Sequence, residues 1–94
     1  MVIGTLKTRL RIKGAGSLKA KRKVLKPLKD RIGHMNVSIA EVGDQEIWQA
    51  STLGIAIVSN DSRHVNSQLD KVREYIGRRL DAEVIESYIE IVHI

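Results

Sequence analysis

From Val2 to Ile12 the chain alternates, with Val2, Leu6, Leu10 and Ile12 on one side and Lys7, Arg9 and Arg11 on the other. A period of two is that of a strand with one buried and one exposed face. Gly14-Ala15-Gly16 interrupts the pattern, and Ser17 stands where a helix wants its N-cap. Leu18, Leu25, Leu28 and Ile32, with Val24 alongside, then recur at helical spacing until Gly33. Pro27 falls inside this helix. It has no amide hydrogen and crowds the preceding turn, which predicts a kink or a restart near it. A second strand is expected from Asn36 through Val37, Ile39 and Val42, then a polar connector, Gly43-Asp44-Gln45-Glu46, with Ile47 and Trp48 in it. Thr52 to Val58 is apolar on both faces, the mark of a central strand. Ser59-Asn60-Asp61 supplies caps for a second helix, whose stripe is Val65, Leu69, Val72, Ile76 and Leu80. In the last strand, about Val84 to Val92, Ile85, Ile89 and Ile91 alternate with Glu86, Tyr88 and Glu90.

The order β-α-β-β-α-β is that of the ferredoxin-like split βαβ fold. Right-handed crossovers place both helices on one face of a four-stranded antiparallel sheet of order 4-1-3-2. Residues 1–94 are read as a single domain of this α+β class. Parity assigns to the open face Lys7, Arg9 and Arg11 from the first strand and Glu86, Tyr88 and Glu90 from the fourth. The third gives Gly54, Ala56 and Val58, and the second Ser38 and Ala40.

Composition narrows the functional classes. A hydrophobic fraction of 43% supports a core, and the absence of cysteine removes disulfides, thiolate catalysis and Cys-based metal sites. The longest apolar run, Ile55 to Val58, is far short of the ~20 residues that span a bilayer. With no apolar leader before Lys7 and Arg9, a cytoplasmic location without membrane contact is expected. The net charge of +5 conceals an asymmetry. Residues 1–33 carry eleven cations against Asp30 alone, whereas residues 34–94 carry five cations against ten carboxylates. Such a dipole points to an anionic partner, of which nucleic acid is the commonest.

Ser17-Leu18-Lys19, Lys21-Arg22 and Val24-Leu25, followed by Asn36 to Val42, resemble the YlxP-like family of small bacterial proteins of unknown function. Ile47-Trp48-Gln49 and Leu53 to Asp61 continue the resemblance, which runs through essentially the whole chain. It implies the same ferredoxin-like fold. The family's genes keep company with those of transcription and translation, which implies an RNA-linked or translational role and establishes no activity.

The candidate chemistry is thin. Gly14, Gly16 and Ser17 before a helix offer an anion-binding turn, but the spacing is not that of a P-loop, and a tight turn with an N-cap explains them as well. Glu41, Asp44, Glu46 and Asp61 match no metal-loop spacing, and His34, His64 and His93 are scattered. No metal, cofactor or catalytic group is therefore assigned. Glu41 shares parity with Val37 and Ile39, so it should face the core and need a donor there. Trp48 is read as a plug closing one end of the core, and Tyr75 and Tyr88 as packing residues with solvated hydroxyls. Bases are not expected to stack on the sheet, because its central strands present no aromatics.

The strongest candidate is the first helix. Lys19, Arg22, Lys23, Lys26 and Lys29 recur every three or four residues over about 15 Å, long enough to track several phosphates. Like charges at those spacings destabilise a helix, and no local acid is expected to offset them. With Lys13 and the turn, they give an RNA- or ribosome-associated binding protein. The alternative is an oligomeric structural or regulatory module that binds a protein or its own copy through the open sheet face or the fourth-strand edge. A homodimer is expected, since Val84 to Ile94 contains no lysine or proline to guard that edge. Lys7, Arg9 and Arg11 are expected to be partly neutralised by Glu86 and Glu90 across the sheet.

Overall fold

A computed structural model describes residues 1–94. The elements are β1 (Val2–Ile12), α1 (Leu18–Gly33), β2 (Ser38–Gly43), β3 (Ala50–Ser59), α2 (Ser62–Gly77) and β4 (Ala82–His93). All strand pairs are antiparallel and the sheet order is β2-β3-β1-β4, the ferredoxin-like arrangement that the alternating pattern predicts. β1 is central, pairing Leu6 with Ile55 on one side and with Ile89 on the other. Val2, Leu6, Leu10 and Ile12 from β1 join Leu53, Ile55 and Ile57 from β3 beneath the helices, while the opposite face stays open.

Each helix contributes a stripe at 4-3-4 spacing. In α2 it is Val65, Leu69, Val72 and Ile76, all buried. Leu80 lies past the end of that helix and is 90% exposed, so it does not extend the stripe. α2 lies so close to β1 that a Cβ on Gly4 would come within 2.1 Å of Val65 Cγ1, and only glycine admits the helix there. In α1 the buried set is Lys21, Leu25, Leu28 and Ile32. Pro27 sits on the exposed side and the helix runs through it without restarting. Its missing donor falls where only water would compete for the freed carbonyl.

Parity fails at one point in β4. Arg9 pairs with Glu86 but Leu10 with Val84, so Ile85 is the extra residue of a bulge. The shift turns Val84 to the core side and leaves Ile85 47% exposed, contrary to the alternation expected of it. The Thr8 hydroxyl, buried on the core face, donates to the Glu86 carbonyl beside the bulge at 3.2 Å. Trp48 does not plug the core: it is 51% exposed in the hairpin loop between β2 and β3. That end is closed instead by Ile12, Ala15 and Ala82.

Candidate nucleic-acid interface

Leu25, Leu28 and Ile32 fix the rotation of α1 on the sheet, and Lys19, Arg22, Lys23 and Lys26 are consequently exposed on its far side. Lys29 lies at the border of the two faces and is half-buried. With Arg22, Leu25, Lys26, Asp30 and Glu41 it lines a shallow groove between α1 and β2. Lys26 Nζ lies 3.0 Å from Asp30 Oδ2, one turn away, so one local acid does offset the run, contrary to expectation. Lys13, Lys19, Arg22, Lys23 and Lys29 have no carboxylate within ion-pair distance.

The turn that feeds the helix is built as its residues suggest. Gly14 has φ +71, a conformation that favours glycine, and Gly14 and Gly16 are exposed while Ala15 is buried. Ser17 is the N-cap, its Oγ accepting from Ala20 N at 3.0 Å. No acid stands in the first turn, so the positive end of the helix lies beside Lys13 and Lys19 uncompensated. All nine residues assigned to anion binding thus lie along α1 or at its start.

Lys21, in the middle of the basic run, does something else. Its side chain is 2% exposed and points inward. Nζ donates to the carbonyls of Asp44 at 2.7 Å and Ile47 at 2.8 Å, and lies 2.9 Å from Glu41 Oε2. With the Gln45 carbonyl at 3.4 Å, four oxygens surround the three ammonium hydrogens, so the buried charge is satisfied. Glu41 is therefore core-facing with a donor, as its parity predicts, and Ser51 donates to the same oxygen at 2.6 Å. The sequence reading treats Lys21 only as one more cation, although it stands four residues before Leu25 and so completes the buried stripe.

On the open face the Asp44 carboxylate accepts from Thr52 Oγ1 at 2.6 Å and from Arg9 Nε at 3.1 Å. The Thr52 hydroxyl, more than the Arg9 charge, holds this carboxyl below the usual carboxylate range. Arg9 is thus neutralised by Asp44, and Arg11 approaches Glu83 at 3.8 Å; Glu86 and Glu90 take neither. The four carboxylates weighed as metal ligands are not brought together. Asp61 caps α2 by accepting from Arg63 N at 2.9 Å, Glu41 and Asp44 hold different cations on opposite faces, and Glu46 is exposed in the hairpin loop. Of the tyrosines, Tyr75 is half-buried with its hydroxyl accepting from Arg79, whereas Tyr88 is 62% exposed on the open face and is no packing residue. No helix is long and apolar enough to cross a membrane.

Comparison with known proteins places this geometry. Solved structures of similar fold include the designed protein Foldit4, with TM-score 0.56, 9% identity and 98% of each chain covered. A dimeric ferredoxin-like protein from an uncultured marine organism aligns with TM-score 0.54 and 8% identity over 100% of this chain and 98% of that one. A designed protein with a ferredoxin fold, LFR1 1, gives TM-score 0.53 and 11% identity over 98% of this chain and 84% of that one. At such identities the likeness concerns the fold alone. Among sequences, the uncharacterized protein YlxP of Bacillus subtilis (strain 168) is 41% identical over 76 residues, covering 80% of this chain and 83% of that protein. The family model described as "Protein of unknown function (DUF503)" matches residues 3–89, and the chain belongs to that family, as a YlxP-like member.

Proposed function

We propose that this protein is a small cytoplasmic RNA-binding protein, ribosome-associated or otherwise bound to structured RNA, that uses α1 as its contact element and performs no catalysis. The observation that carries the reading is the exposed ridge of Lys19, Arg22, Lys23 and Lys26, continued by Lys29 and Lys13, in which Lys26 alone has an acidic partner. Unpaired cations in one row repel each other at a cost to helix stability, and a row of phosphates removes that cost. The uncompensated N-terminus of α1 adds partial positive charge where the Gly14–Ser17 turn opens to solvent. A ridge on a rigid helix reads shape and phosphate spacing and not base sequence, which suits a folded RNA.

The test is a triple reversal, Lys19→Glu, Arg22→Glu and Lys26→Glu, assayed by retention on immobilised RNA. All three side chains point into solvent, so the circular dichroism should be unchanged while retention is abolished. Retention that survives the reversal would remove the helix from the interface.

A further inference from the structure

The sheet presents to solvent two edges and one face, and only the edges carry protection. β4 has its bulge at Ile85, and the register of β2 shifts between Glu41 and Gly43. A bulge twists an edge away from the flat geometry that a further strand requires. The open face has no comparable device. Ile3 is paired with Val58 on one side and Val92 on the other, so these three residues make an apolar row across three strands. Val58 is 62% exposed and Val92 38%. One strand further, Val42 lies against Gly54, and Tyr88 stands opposite Lys7.

Charge decides what such a face fits. Lys7, Arg9 and Arg11 share it with Asp44, Glu83, Glu86 and Glu90, three cations against four carboxylates, in a chain whose net charge is +5. A polyanion finds no attraction here. A second copy meets no like-charge barrier, and closing two such faces sends both α1 ridges outward on opposite sides of the particle. Pairing through the helices would bring the two basic surfaces together instead. The molecule measures 42 × 20 × 19 Å, so the face spans on the order of 800 Å², about what each partner of a stable complex buries.

We infer that the open sheet face is the interface with a second copy of this chain, packed sheet to sheet with both edges free. The pairing stands independently of RNA binding by α1. Sedimentation equilibrium across the micromolar range tests it, using the wild type, Ala56→Glu and Val58→Glu. Both substitutions place a charge on the open face, Val58→Glu in its apolar row and Ala56→Glu nearer its middle, and leave the core untouched. The wild type should show twice the chain mass of 10.5 kDa, and both variants the single mass with an unchanged circular dichroism. Hydroxyl-radical footprinting needs no substitution: Tyr88 should become protected as wild-type concentration rises, while Tyr75 does not. A mass of 10.5 kDa throughout overturns the inference. So does a dimer that persists in both variants with Tyr88 still reactive, which would move the contact to an edge or a helix. Variants that lose RNA retention, from a wild type that is monomeric, would likewise overturn it and assign the face to RNA.

Discussion

Lys21 is where chemistry and pattern part company. An ammonium in a leucine position is stable only because the Glu41 carboxylate and three carbonyls of one hairpin loop converge on it. Removing it strands Glu41 and unties the loop. Lys21→Ala should therefore cost about 3 kcal/mol, the scale for breaking one partner of a buried pair, read as a fall in the urea midpoint. Exposed Lys23→Ala should cost far less. The stripe spacing made the position of Lys21 legible, but its partners lie 20 to 26 residues away and no local rule supplies them. Trp48 stays outside the core for a related reason: the loop is held by its backbone, through Lys21, and not by the Trp48 side chain. Two carboxyls are held below their ordinary range at this scale. Thr52 lowers the Asp44 value, and the Arg79 guanidinium, bound through two bonds of 3.0 and 2.7 Å, lowers that of Asp81. Groups depressed on folding stabilise the protein above the ordinary carboxylate value of about 4, and that stability is lost as pH falls through the lowered values. Urea midpoints should hasten downward below pH ~4, and less steeply in Asp44→Asn.

Among the elements, α1 carries the functional reading and two penalties. Pro27 lies in its interior, exposed and without an amide hydrogen. Pro27→Ala restores a backbone hydrogen bond to the Lys23 carbonyl, and should raise stability by about 1–3 kcal/mol in urea denaturation without changing RNA retention. Its presence predicts a break that the structure does not show, because tertiary packing of Leu25, Leu28 and Ile32 holds both halves of the helix in line. Asp30 is the second modifier. It is the one acid on the ridge, and Asp30→Asn frees Lys26, so RNA affinity should rise several-fold at low salt, as one more cation becomes available. β4 teaches the opposite lesson from α1. Its alternation was readable on both sides of the bulge, but the extra residue at Ile85 is invisible to a period-two count, and every face assignment before it slips by one. Glu86 and Glu90, the acids expected to neutralise Arg9 and Arg11, do lie on the open face, but Asp44 from the hairpin loop and Glu83 from before the bulge take those two cations instead.

At the scale of the whole molecule, the asymmetry of charge along the chain becomes an asymmetry in space. The sheet face is balanced, and the excess of cations stands on and around α1. The two ends of the sequence meet, the Met1 ammonium donating to the Ile94 carbonyl at 2.7 Å, so they lie on β1 and β4 away from the ridge's start. This division of labour was readable from composition by thirds of the chain, whereas the near-neutrality of the face needed the register. RNA binding as proposed is phosphate-driven through the ridge. The measurement that meets it most directly is the affinity for a structured RNA as a function of salt. Contacts from Lys19, Arg22, Lys23, Lys26 and Lys29 should make log affinity fall linearly with log salt, with a slope of about −3.5 to −4.5, and each cation replaced by alanine should reduce that slope by about 0.7–0.9. An affinity indifferent to salt, or a slope that survives removal of these five cations, would remove the ridge as the RNA-binding element.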